Sequence, residues 1–298
     1  MEEAQQRYAV VTGANKGIGL EIVRLLASAG INVVLTARNE KRGLQALETI
    51  KASGLSHLVV FHQLDVADAA SVACLADFIK SKFGKLDILV NNAAVGGIEI
   101  KDTDLYVLVI VKHGDVSKEN LNKATTQTYE LAEDCFQINY YGVKRTTESL
   151  LPLLLLSDSP RIVNVSSSLA KLENISNEHA KGILSDVDKL TEENLDEVLK
   201  EFLKDFEEGS LESKGWLSYM SAYSVSKSAV NAYSRVIAKK YPKICINNIC
   251  PGYVKTDMTN NTGILTAEEG AASIVRLALL PNGSPSGLFY FQNEVSSF

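Results

Sequence analysis

Tyr8-Ala-Val-Val-Thr-Gly-Ala-Asn-Lys-Gly-Ile-Gly19 joins a short apolar run to a glycine loop, and Leu20, Ile22, Val23, Leu25 and Leu26 follow at helical spacing. The apolar run reads as a buried parallel strand and the spaced apolar residues as a helix. Between them the backbone must bend sharply, which glycine permits, and the free N–H groups at the helix start attract an anion. The spacing is G-x-x-x-G-x-G, not the G-x-G-x-x-G of the common fingerprint. A strand, a glycine turn and a helix in that order predict a dinucleotide site opening a doubly wound α/β sheet.

The next strand, Ile31-Asn-Val-Val-Leu-Thr-Ala-Arg38, bears on which dinucleotide. A free ribose 2′-hydroxyl is bound by an acidic residue near this strand end, and Arg38 stands there instead. Lys16 in the glycine loop adds a second cation. Two positive charges suit a 2′-phosphate, so NADP(H) is expected over NAD(H).

Strand-like and helical patterns alternate along most of the chain. Helices are expected near Glu40–Ala52 and Ala69–Phe83, a single long one over Gln127–Leu156, and one over Tyr223–Tyr241. Strands are expected at Leu58–Leu64, Leu86–Val90, Arg161–Ser166, Ile244–Cys250 and Leu288–Phe291. The alternation predicts one Rossmann-type domain over residues 1–298, a parallel sheet with helices on both faces. Two stretches, about 96–126 and 170–220, are too long for ordinary connections. The second should hold a helix capped by Thr191, with Glu192 and Glu193 in its first turn. Its stripe Leu195, Val198, Leu199, Phe202, Leu203 and Phe206 must bury against the domain, and a wall over the substrate cleft is a second reading. Leu105–Val111 is either an apolar wall of that cleft or an ordinary buried element.

The chain has 298 residues, 46% of them hydrophobic, and a formal net charge of −6, enough apolar material for a large core. A pI near 5.4 without a basic cluster argues against nucleic acid as a partner. Its apolar runs are too short to span a bilayer, and the polar start resembles neither a signal nor a transit peptide. Cys74, Cys135, Cys245 and Cys250 lack C-x-x-C spacing and fit reduced thiols in a cytoplasmic protein. The four histidines show no ligand spacing, so no metal is expected.

Ser221-Ala-Tyr-Ser-Val-Ser-Lys227 carries the chemistry. Tyr223 and Lys227 are four apart on a helix and share a face. The ammonium favours the tyrosinate, which would lower the tyrosine pKa and make Tyr223 a proton donor to a developing alkoxide.

Thr12-Gly-x-x-x-Gly-Ile-Gly19, Asp65, Asn91-Asn-Ala93, Asn139, Ser166-Ser167, Tyr223-x-x-x-Lys227 and Pro251-Gly252, in this order, resemble the short-chain dehydrogenase/reductase family over essentially the whole chain. The long insertion before Tyr223 resembles the carbonyl-reductase branch. Phe61–Asp65, Leu155–Ser168 and Cys250–Met258 are similar to the plant menthone/neomenthol and salutaridine reductases. The resemblance implies a catalytic set of Ser167, Tyr223, Lys227 and Asn139, with Ser167 polarising the substrate carbonyl and Asn139 holding Lys227 through water. It also implies cofactor contacts from Gly13, Asn15, Lys16, Gly17, Ile18 and Gly19 around the phosphates. Asp65 and Val66 would form the adenine pocket, Asn92 and Ala93 the adjacent ribose site, and Val254 and Thr256 the nicotinamide and phosphate contacts. Ala94 departs from the family, which has glycine there. The insertion further implies a monomer.

The expected activity is NADPH-dependent reduction of a ketone or aldehyde on a small apolar, terpenoid- or alkaloid-like substrate. Two alternatives stay open: reduction of a conjugated C=C bond, which the resemblance associates with loss of the tyrosine, and a non-catalytic NADP(H) sensor.

Overall fold

The computed structural model describes residues 6–108, 118–217 and 219–298. The first half alternates as expected: β1 (Tyr8–Val11), α1 (Gly17–Ser28), β2 (Asn32–Ala37), α2 (Glu40–Ala52), β3 (Val59–Gln63), α3 (Ala69–Phe83) and β4 (Ile88–Asn91). Residues 96–108 and 118–126 then form a small excursion. Strands β5 (Glu99–Ile100) and β6 (Thr125–Thr126) pair antiparallel around the short helices α4 (Thr103–Tyr106) and α5 (Lys118–Ala124). Of the apolar run Leu105–Val111, residues 109–111 lie outside the described residues.

The helix expected over Gln127–Leu156 is two helices, α6 (Tyr129–Asn139) and α7 (Tyr141–Leu154). Tyr140 (φ −105°, ψ −61°) breaks the run between them. Strand β7 (Arg161–Val165) leads into the long insertion, which holds two helices rather than the one expected: α8 (Glu178–Ser185) and α9 (Glu192–Glu207). Thr191 caps α9 as predicted, its side chain accepting the Asn194 N–H at 3.2 Å. The chain closes with α10 (Ser221–Lys240), β8 (Cys245–Cys250), α11 (Ala267–Ala278), β9 (Leu288–Phe291) and β10 (Glu294–Ser296). Strand β10 was not anticipated; three residues with two exposed give little periodicity to read.

The strand order is β10-β9-β8-β7-β4-β1-β2-β3, parallel throughout except for β10. Alternate residues of β1 face opposite layers: Val10 joins the core under α3, α6, α7 and α10, while Ala9 and Val11 join the core under α1, α2 and α11. The stripe on α9 completes the first layer, with Leu195, Val198, Leu199 and Phe202 buried. Phe202 stacks edge-on against Phe136 of α6 and Trp216. The buried Asp205 carboxylate accepts the Trp216 indole N–H at 2.8 Å. Among the described residues no helix is long and apolar enough to cross a membrane, and no group of side chains is arranged to hold a metal.

Candidate active site

Connections run to opposite layers on either side of β1 and β4, so a crevice opens beyond their carboxyl ends. A cleft of about 1230 Å³ lies there, above the usual range for a single small ligand. The glycine loop forms one wall. Gly13 has φ +63°, and a Cβ on it would sit 2.8 Å from the Ala93 Cα; a Cβ on Gly19 would sit 2.6 Å from the Gly13 carbonyl and the Asn92 amide. Both glycines are therefore required by close approach. The Thr12 hydroxyl accepts the N–H groups of Asn92 and Ala93, each at 2.9 Å, and Asn92 Nδ2 donates to the carbonyls of Thr12 and Gly13 at 2.9 and 3.1 Å. Asn92 thus braces the loop as well as lining the cleft. Lys16 is an extended N-cap with no capping side-chain bond, and no acidic residue stands in the first turn of α1. The helix start keeps its N–H groups for an anion, so the cradle fits a dinucleotide pyrophosphate.

Asn15, Lys16, Ile18, Arg38, Asp65, Val66, Val254 and Thr256 all line this cleft. The Asp65 side chain also accepts the Ala67 N–H at 3.0 Å, and the Val66 carbonyl accepts from Arg145 at 2.6 Å. The reading of two cations with no carboxylate needs correction, because the Lys16 ammonium pairs with Asp257 across the cleft mouth. A third cation offsets this. Arg42 lines the same rim as Arg38; Asn39 caps α2 by accepting the Arg42 N–H at 2.9 Å, which places Arg42 in the first turn. The Asn39 cap was the signal available in the sequence.

At the inner end, α10 presents Tyr223 and Lys227, 8% and 2% exposed. The Lys227 ammonium lies 5.8 Å from the Tyr223 ring centroid and donates to the Val165 carbonyl at 2.7 Å. Burial pulls Lys227 down to about 8. Burial also pushes Tyr223 up, and hydrogen bonding from Ser167 is the opposing influence. The sequence expectation of a lowered tyrosine pKa is not met, because desolvation of the phenolate is the largest influence on it. Of the three serines after β7, Ser167 is the one that meets Tyr223. Ser166 is buried without a hydroxyl partner, and Ser168 bonds toward Cys250.

Asn139 is fully buried beside α10. Its side chain accepts the Val95 N–H at 2.9 Å and donates to the Val95 carbonyl at 2.9 Å and to Ser226 at 3.1 Å. It ties the segment after β4 to α10 one residue before Lys227, and so positions the lysine through the backbone. Ala94 lines the cleft. The α9 stripe does not line it; that helix serves packing, as the first of the two readings had it. Tyr106, from the run Leu105–Val111 expected either as a cleft wall or as an ordinary buried element, does line it; Tyr219, Met220 and Tyr253 line it too, and sequence reasoning missed these three because no motif marks them.

The model of the short chain dehydrogenase family matches residues 7–179 and 209–264. A (+)-neomenthol dehydrogenase of Arabidopsis thaliana is 56% identical, with 100% of each chain covered. The solved structure of salutaridine reductase from Papaver somniferum superposes with a TM-score of 0.88 at 53% identity, covering 96% of this chain and 99% of that one. More distantly, carbonyl reductase [NADPH] 1 of Bos taurus is 38% identical over 96% of each chain.

Proposed function

The chain belongs to the short-chain dehydrogenase family, and from that premise we propose that it is an NADPH-dependent reductase of ketones or aldehydes on a small, largely apolar skeleton. The observation that carries this is the meeting of Ser167 with the buried Tyr223 and Lys227 in a dinucleotide-shaped cleft. NADPH, when bound, supplies the hydride. Arg38 and Arg42 suit its 2′-phosphate, and the glycine loop its pyrophosphate.

Ser167 donates a hydrogen bond to the substrate carbonyl and polarises it. Tyr223, held protonated by its surroundings, gives its Oη proton to the carbonyl oxygen as the carbonyl carbon becomes tetrahedral. The Lys227 charge stabilises the tyrosinate left behind. Retention of Tyr223 disfavours the conjugated C=C reading, and a pure sensor has no use for this proton relay. The relatives named neomenthol dehydrogenase and salutaridine reductase support a ring ketone or its alcohol as the reacting group.

NADPH consumption over a panel of cyclic ketones and aromatic aldehydes, with NADH alongside, tests the proposal. Turnover with NADPH and at least tenfold less with NADH is expected; equal use of both would count against the cationic rim. We further propose a cytoplasmic, single-domain monomer, supported by the α9 stripe being buried within its own chain on α6 and α10. Light scattering reporting a dimer would contradict that.

A further inference from the structure

Beyond Tyr223, three tyrosines line the substrate end of the cleft: Tyr106, Tyr219 and Tyr253. Their hydroxyls are not equivalent. That of Tyr253 is engaged with the Thr262 hydroxyl. Those of Tyr106 and Tyr219 have no hydrogen-bond partner among the described residues, although Tyr106 is only 5% exposed. Both hydroxyls open into the cleft without a protein partner, so each is free to hydrogen-bond an oxygen that enters it.

Their placement is built. Tyr106 closes α4, whose cap Asp102 accepts the Leu105 N–H at 2.9 Å. Tyr219 precedes Met220, a non-glycine residue in the left-handed region (φ +45°) at the start of α10. That conformation is costly for a side-chain-bearing residue and is retained where it aims a neighbour. Tyr219 lies within electrostatic range of Tyr106, Tyr223 and Tyr253. Burial holds both open hydroxyls protonated, pushing Tyr106 up to about 12.

We propose that Tyr106 and Tyr219 form a second polar anchor that hydrogen-bonds an oxygen of the substrate remote from the reacting carbonyl. The preferred substrates are ketones carrying a hydroxyl, ether or second carbonyl away from the reacting centre. A monofunctional ketone leaves both hydroxyls unsatisfied in a desolvated site, which is where hydrogen-bond discrimination is largest.

This rests on the reductase reading, and matched ketone pairs separate the two. A decalone is compared with a hydroxydecalone, and a saturated steroid ketone with the same ketone bearing a hydroxyl on the opposite terminal ring. The kcat/KM ratio of each pair is measured for the wild type, Tyr106→Phe, Tyr219→Phe and the double variant. The wild type should favour the oxygenated member by about tenfold to a hundredfold, chiefly through KM, with the ratio falling toward unity in the double variant. Binding of the corresponding diols and mono-alcohols to the NADP⁺ complex, followed by calorimetry, should show the same loss of discrimination. A ratio near unity in the wild type, or one that both phenylalanine variants leave unchanged, overturns the anchor while leaving the reductase reading intact. No turnover of any pair by the wild type overturns both.

Discussion

Tyr223 and Lys227 sit where burial acts on both in opposite directions. The tyrosine is held as the phenol, and the lysine is brought down to about 8. Reduction needs the Tyr223 proton and the Lys227 charge together. Both are present below pH 8, and the lysine loses its proton first as the pH rises. The expected profile of kcat/KM for reduction is flat below about pH 8 and falls about tenfold per unit above it. A flat profile to pH 10 would mean that the lysine charge plays no part. Asn139 shows how far a motif reading reaches at this scale. Its identity was legible, but its bonds to Val95 and Ser226 depend on two segments meeting in space. Arg42 shows the reverse, a residue outside the motifs that its helix cap brings to the cofactor rim.

Elements with strong periodicity were legible to the residue. Helices α2 and α3 and strand β9 begin and end where the pattern put them, and Asn39 and Asp68 cap the two helices. The break between α6 and α7 was not, because helical periodicity continues through Asn139 and Tyr140 and the interruption answers to packing. Short pieces such as β10 and α8 carry too few turns for a period to show. The α9 stripe was legible, and its partners were not: Phe202 meets Phe136 and Trp216, which are distant in sequence. Phe202→Ala should cost about 3–5 kcal/mol, because the ring is fully buried and its neighbours are aromatic and unable to collapse into the space. The shift of the denaturant midpoint reads this, and a loss below about 1 kcal/mol would show that α9 is only loosely docked. Phe202 lies outside the cleft lining, so the effect belongs to stability.

At the scale of the molecule, the strand order places the loops after β1, β4, β7 and β8 around one crevice. The two cores pack on opposite faces of the sheet, and the rim brings the glycine loop, Ser167, Tyr223 and Lys227 into one cleft. The segment after β4 and the turn before α10 then add Tyr106 and Tyr219 to the lining of that crevice. The central claim is that Tyr223 delivers the proton to a carbonyl oxygen in an NADPH-loaded cleft. Single-turnover NADPH consumption with a responsive ketone, for the wild type and Tyr223→Phe, tests it when paired with NADPH binding by fluorescence titration. A fall in rate of about a hundredfold to ten-thousandfold with NADPH affinity changed less than about threefold is the predicted result. Turnover that survives the substitution within tenfold would contradict the account.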